Sequence, residues 1–187
     1  MLVEDTPLPG VKLITPRRFG DSRGFFCESY SVKAMAEQGI DIRFVQDNHS
    51  LSTTPGTIRG LHFQKPPHAQ AKLVRCGRGS LFDVAVDIRR GSPTWGKWFG
   101  AELSFENGRQ MLVPAGFAHG FVTRSPDTEI VYKCSDYYFP ETEGAIAWND
   151  PDLGIDWRLG DLAPMLSAKD AVAGSFADFE SPFTWQG

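Results

Sequence analysis

Three polar stretches carry residue types able to do chemistry: Phe44-Val-Gln-Asp-Asn-His-Ser50, Gly56-Thr-Ile-Arg-Gly-Leu-His-Phe-Gln64 and Ala69-Gln-Ala-Lys-Leu-Val-Arg75. If the middle one is extended, side chains alternate, so His62 shares a face with Gly60 and Gln64 while Arg59, Leu61 and Phe63 take the other. An imidazole beside a small and a polar neighbour either lines a cavity or sits in the core bonded to a backbone carbonyl; spacing alone leaves both open. Arg23, Arg59, Lys72 and Arg75 lie near glycine-containing turns. There Arg can grip a phosphate through its bidentate fork and Lys as a point charge, unless all four simply face solvent. Tyr132, Tyr137 and Tyr138 flank Lys133, where a phenol can donate a proton, stack on a base or fill the core.

The four histidines, His49, His62, His68 and His119, form no HxH, HxxxH or HxxE spacing, so a metal site with three converging ligands is not the expectation. No GxSxG, no P-loop and no GxGxxG opening a helix occurs, which removes the usual marks of a serine hydrolase, an NTPase and a dinucleotide dehydrogenase. Cys27, Cys76 and Cys134 are an odd, widely separated set without CxxC, expected to be reduced, half-buried fillers.

The elements that must position these groups are strands. Glycine (19) and proline (13) recur every few residues and leave little room for long helices. Between the breaks, residues 72–76, 80–88, 97–103, 109–113 and 129–133 are short and β-rich, several alternating apolar with polar. In 80–88, Phe82, Val84, Val86 and Ile88 fall on one face; Asp83, Ala85 and Asp87 fall on the other, polar enough to line a cavity or meet solvent. Only Ser31–Gln38 reads as a helix, with Ser31 as N-cap and Gly39 as its stop, and a further short turn is expected near 167–172. Many short strands with turns and no repeat or linker favour a sandwich or barrel, a jelly roll above all.

The chain of 187 residues suits one domain, 1–187, with a tail from about 173 whose Phe176, Phe179, Phe183 and Trp185 could pack on the barrel or on a partner. Nineteen Lys and Arg against 23 Asp and Glu, a formal charge of -4, argue against a nucleic-acid partner. Apolar runs are far shorter than the roughly 20 residues a bilayer crossing needs, and the start MLVEDTPLPG carries acids, so no membrane role and a cytoplasmic location are expected.

The segments Phe19-Gly-Asp-Ser-Arg-Gly-Phe-Phe26, Gln46-Asp-Asn-His-Ser50, Arg59-Gly-Leu-His-Phe-Gln64, Lys72-Leu-Val-Arg-Cys76, Asp83-Val-Ala-Val-Asp-Ile-Arg89, Pro114-Ala-Gly-Phe-Ala-His-Gly-Phe121 and Trp148-Asn-Asp-Pro151 together resemble the dTDP-4-dehydrorhamnose 3,5-epimerase family, in the family's order over about residues 2–170. The resemblance implies an all-β, cupin-type jelly roll (double-stranded β-helix) with a few short helices, working as a homodimer with exchanged N-terminal strands. It implies no metal and no organic cofactor, since Gly60-Leu-His62-Phe-Gln64 stands where the HxH-plus-Glu set of metal cupins would fall.

The reaction implied is inversion at carbons 3 and 5 of a dTDP-4-keto-6-deoxyhexose, both α to the keto group, giving the L-rhamnose precursor. Such a proton is a very weak acid, so base, cation and acid must act together. By resemblance His62 is the base, and Asp170 holds its tautomer and raises its basicity. Tyr132 is the acid on the opposite face, and Lys72 meets the enolate oxygen. Arg23 and Arg59 would hold the diphosphate; Glu28, Gln46 and Asn48 would contact nucleotide and sugar; Tyr138 would stack on thymine; His119, Glu143 and Lys169 complete the binding set. The alternatives are a mono-epimerase of a related dTDP-sugar, a non-catalytic nucleotide-sugar-binding cupin, and a metal-dependent cupin.

Overall fold

A computed structural model describes all residues, 1–187. In it the short β-rich segments become strands: β1 (Leu2–Asp5), β2 (Lys12–Thr15), β3 (Arg18–Asp21), β4 (Gly24–Cys27), β5 (Gln46–Ser52), β6 (Ile58–Gln64), β7 (Lys72–Arg78), β8 (Ser80–Asp87), β9 (Arg89–Arg90), β10 (Trp98–Ser104), β11 (Gln110–Val113), β12 (Phe117–Thr123), β13 (Thr128–Cys134), β14 (Glu143–Ala145) and β15 (Phe183–Thr184). A six-stranded sheet runs β1-β2-β11-β7-β13-β5 and a five-stranded sheet β10-β8-β12-β6-β14; β3 and β4 form a separate hairpin. Every pair within the two large sheets is antiparallel, as the jelly-roll expectation requires.

The sheets face each other across an apolar core: Leu13, Val74, Met111 and Ile130 from the six-stranded sheet meet Leu81, Ala85, Leu103, Phe117 and Phe121 from the five-stranded one. The other face of β8 fulfils the period-two reading, with Phe82, Val84, Val86 and Ile88 buried on the outside of the five-stranded sheet. What covers them is the C-terminal third: Leu153 and Trp157, with Trp148, Leu159, Phe176, Phe179 and Phe183. Full burial of such side chains stabilises by about 1.5–3 kcal/mol each, so this covering layer is integral to the fold. The tail thus packs on the barrel. Phe183 pairs in parallel with Arg89, and the Arg89 guanidinium lies over both Phe117 and Trp185.

The expected helix is shorter than the sequence suggests. It spans Val32–Ala36, capped by Ser31 Oγ, which accepts from the Ala34 N–H at 3.3 Å, and Gly39 follows with φ of +74°. Its one buried residue, Met35, seals the outer face of the six-stranded sheet against Ile14, Leu73 and Leu112.

Two expectations need correction. The second face of β8 does not meet solvent, since Asp83 and Asp87 are fully buried. Asp83 bonds His119 through Oδ1 and leaves Oδ2 without a partner, whereas Asp87 is satisfied by Arg89, Ser92 and Thr94 of the following turn. Cys76 and Cys134 are buried rather than half-buried, and Cys27 alone is intermediate. Burial pushes the Cys76 thiol up to about 11.

Candidate active site

The core fills only part of the space between the sheets. The rest is a cavity of two adjoining lobes, about 430 and 410 Å³, the first mainly polar and the second mixed. One wall is the six-stranded sheet, through Gln46, Asn48 and Ser50 of β5, Lys72 of β7 and Tyr132 of β13. The other is the five-stranded sheet, through Arg59, His62 and Gln64 of β6, His119 and Phe121 of β12 and Glu143 of β14. His62, Lys72 and Tyr132 line both lobes and so stand at their junction.

Strict alternation along β6 would put Arg59 on the face opposite His62, yet both reach the cavity. The pairing of β6 with β12 shifts register between His119/His62 and Phe121/Arg59. A bulge of this kind inserts a residue and resets the side-chain phase. It sits at Gly60, whose φ of +136° and close approach to Gly120 only a glycine tolerates: an added Cβ would lie 2.5 Å from Gly120 Cα.

His62 Nε2 lies 2.5 Å from Asp170 Oδ1, which assigns that nitrogen the proton and leaves the other for chemistry. Asp170 is buried, and its second oxygen accepts from Ser167 Oγ at 2.9 Å. The route that brings Asp170 here is visible in the backbone. Met165 bridges to Thr57 in parallel, with Ile58 N–H to Met165 O and Met165 N–H to Gly56 O both at 2.9 Å, and the chain then turns through a short 3-10 helix at Asp170–Val172.

Burial pulls the His62 imidazole below its ordinary value; the charge and hydrogen bond of Asp170 raise it, and Lys72 and Lys169 pull it down further. Asp170 acts on the imidazole in the expected direction, raising its basicity, but the carboxylate offsets desolvation without reversing it. Desolvation likewise lowers the Lys72 ammonium, against Cys134, Asp83 and Glu143. It raises the Tyr132 phenol, with Cys134 and Glu143 adding and Asn48 and Arg59 opposing.

At the cavity mouth Tyr138 OH donates to Glu143 Oε2 at 3.0 Å, and Lys169 Nζ is 2.5 Å from Glu143 Oε1. Desolvation acts to raise the Glu143 carboxyl, but the hydrogen bonds from Lys169 and Tyr138 bring it below its ordinary value. Of the expected site residues, Arg59, His62, Lys72, His119, Tyr132, Tyr138, Glu143, Gln46, Asn48, Lys169 and Asp170 all line the cavity. Arg23 and Glu28 do not. Arg23 sits at the tip of the β3–β4 hairpin, exposed and paired with Asp21 at 2.5 Å, and Glu28 follows β4.

Sequence reasoning missed Ser167 as the second partner of Asp170 and Asp83 as the partner of His119, bonded at 2.8 Å. The Ser-x-x-Asp spacing of 167–170 was an available sign, because it lets the hydroxyl accept from the Asp170 N–H, here at 3.1 Å. Asp83 offered none. No three His, Cys, Asp or Glu side chains converge as a group able to hold a metal ion, and the ring nitrogens of His62 and His119 nearest a carboxylate are already bonded to it.

Residues 5–178 match the family described as dTDP-4-dehydrorhamnose 3,5-epimerase. The chain is 54% identical to the dTDP-4-dehydrorhamnose 3,5-epimerase of Salmonella typhimurium over 92% of its own length and 94% of that protein's. It is 57% identical to that of Pseudomonas aeruginosa, over 91% and 93% respectively. Its structure superposes with a TM-score of 0.94 on the Legionella pneumophila dTDP-6-deoxy-D-glucose-3,5-epimerase crystallised with dTDP-4-keto-L-rhamnose, at 47% identity, covering 100% of this chain and 99% of that one.

Proposed function

This chain belongs to the dTDP-4-dehydrorhamnose 3,5-epimerase family, and from that premise we propose how its residues invert carbons 3 and 5 of a dTDP-4-keto-6-deoxyglucose. The product is dTDP-4-keto-L-rhamnose, the precursor for dTDP-L-rhamnose. The observation that carries the residue roles is the junction of the two lobes, where His62 comes from one sheet and Lys72 and Tyr132 from the other.

Inversion needs a proton removed from one face of a carbon and another delivered to the opposite face, which groups on opposing walls of a cavity can do. The neutral His62 takes the proton α to the keto group, and the C–H electron pair moves into an enolate whose oxygen meets the Lys72 ammonium. Tyr132 then gives its phenolic proton to the other face of the same carbon, and solvent returns both side chains to their starting state. Asp170 holds the His62 tautomer and steadies the imidazolium, and Ser167 holds Asp170. The same set serves carbon 5 once the ring has shifted. No cofactor is called on by these steps.

The lobe lined by Gln46, Asn48 and Tyr138 suits the nucleotide, with Tyr138 stacking on thymine; Arg59, His119 and Lys169 in the other lobe suit the anionic and hydroxyl-bearing parts of the substrate. Arg23 and Glu28 act in a second copy. The hairpin that carries them exposes Phe19, Phe25 and Phe26, 70% exposed in the last case, and such a surface fits a homodimer whose N-terminal strands are exchanged, each hairpin finishing the partner's diphosphate and nucleotide site. The chain works as one domain in this reading, with no nucleic-acid or membrane partner; no helix is long and apolar enough to cross a bilayer. A cytoplasmic location follows from its nucleotide-sugar substrate.

Incubation with dTDP-4-keto-6-deoxyglucose in deuterated water, followed by proton NMR, tests the reading. Deuterium enters at both carbons with wild type and at neither with His62→Ala. Exchange at one carbon makes the chain a mono-epimerase, and none at either makes it a nucleotide-sugar-binding cupin.

A further inference from the structure

Residues 135–139 join β13 to the mouth of the cavity and carry Tyr138, and apolar packing does little to fix Tyr137 and Tyr138, both more than half exposed. Their backbone is instead held by side-chain amides. Gln64 Nε2 donates to the carbonyls of His68 at 2.6 Å and Tyr137 at 3.1 Å, and its Oε1 accepts from the Phe139 N–H at 2.9 Å. Gln70 Nε2 donates to Asp136 O at 2.8 Å and Tyr137 O at 3.1 Å, and Gln46 Oε1 accepts from the Tyr138 N–H at 3.1 Å. The His68 ring stacks on Phe139 at 3.5 Å and bonds Asp136 Oδ2 at 3.0 Å.

Gln64 is the centre of this clamp. It is only 4% exposed, uses donor and acceptor ends of its amide together, lies two residues beyond His62 on β6, and stands in register with Glu143 of β14. A buried amide satisfied at both ends is rigid, because any other rotamer leaves polar groups unpaired.

We infer that Gln64 is a positioning residue for nucleotide recognition: it locks the 136–139 loop so that the Tyr138 ring is held ready over the cavity, tied to the strand that carries the base. The inference rests on the proposed stacking of Tyr138 on the nucleobase. It assigns Gln64 no part in proton transfer. Its effect falls on the nucleoside end of the substrate and leaves the diphosphate end alone. Gln64→Glu keeps size and acceptor but sets a carboxylate against two carbonyl oxygens, which frees the loop.

The test is calorimetric titration of the full-length protein with dTDP and, separately, with inorganic diphosphate, for wild type, Gln64→Glu, Gln70→Leu and Tyr138→Ala. Gln64→Glu is expected to weaken dTDP about tenfold, as removing buried hydrogen bonds does, with diphosphate binding unchanged. In turnover KM rises by more than kcat falls. If Gln64→Glu does not fold, Gln70→Leu decides, through the same dTDP-selective loss at about threefold. Equal weakening of both probes, or unchanged dTDP binding while Tyr138→Ala weakens it, overturns the inference and leaves the site reading intact. If Tyr138→Ala itself leaves dTDP binding unchanged, the stacking premise falls and the inference with it.

Discussion

His62 and His119 stand opposite each other on the antiparallel pair β6 and β12, and each is bonded to its own buried aspartate, His62 to Asp170 and His119 to Asp83. The two pairs differ in their surroundings. Both oxygens of Asp170 are engaged, whereas Asp83 Oδ2 is buried without a partner. They differ in reach as well, since His62 lines both lobes and His119 only one.

That difference in reach predicts unequal losses. His62→Ala is expected to lower turnover by about 10²–10⁴, the usual worth of a positioned base, and to remove deuterium exchange at both carbons. His119→Asn costs less in kcat and leaves exchange detectable. Calorimetry with dTDP should find the nucleotide still bound by His62→Ala; equal loss from the two variants would contradict the assignment of His62 as base.

The pH dependence follows from the desolvation of His62. A base must be neutral to act, so activity is lost as pH falls through its pKa, and burial has moved that pKa below the ordinary 6.5. The acidic limb of kcat/KM is expected below that value. Asp170→Asn removes the two influences that hold the pKa up, so the limb moves lower still, while kcat falls about 10² because the tautomer is no longer enforced. A limb that rises on Asp170→Asn would contradict this account.

Tyr132→Phe separates proton removal from proton delivery. His62, Asp170 and Lys72 remain, so the enolate still forms and solvent deuterium still enters from the His62 side, with retention. Inversion is expected to fall by about 10² or more while wash-in persists. Parallel collapse of both signals would place Tyr132 in binding instead.

The strand alternation of 80–88, the places of the β-rich segments to within two residues and the helix N-cap were legible in the sequence because each depends on neighbours within a few residues. What escaped depends on partners far along the chain. His62 and Asp170 are 108 residues apart, and His119, which bonds the buried Asp83, lies 36 residues on from it. Residue types alone do not say which side chains meet at such separations; for Asp170 a family resemblance supplied the pairing. Arg23, exposed at the tip of the β3–β4 hairpin, and Glu28, just after it, do not line the cavity of their own chain. The packing of the tail was equally hidden, since the apolar face it covers belongs to strands read as a barrel wall.

The exposed phenylalanines of that hairpin make the dimer testable. Phe26→Glu puts a charge into the proposed interface, and a carboxylate buried without a partner is costly enough to shift the equilibrium to monomer. Sedimentation should report a monomer where wild type gives a dimer, with dTDP affinity falling as the partner's Arg23 is withdrawn. A wild type that sediments as a monomer with full activity would remove Arg23 and Glu28 from the site.

Gly60 offers the sharpest test of how the fold aims the site, because Arg59 and His62 reach one cavity only through the bulge there. In Gly60→Ala the new methyl meets Gly120 Cα at 2.5 Å and His119 O at 2.9 Å, both backbone atoms of β12 that cannot swing aside, in a φ region alanine rarely adopts. Relief requires β6 and β12 to separate or the bulge to flatten. Flattening restores strict alternation and turns either Arg59 or His62 away from the cavity. The expected cost is about 2 kcal/mol or more in stability, a fall of roughly 4–8 °C in Tm for a chain of this size. Activity at a temperature where the variant is fully folded should drop far more than stability does. Full activity in folded Gly60→Ala would mean that the bulge does not set the geometry of His62 and Arg59.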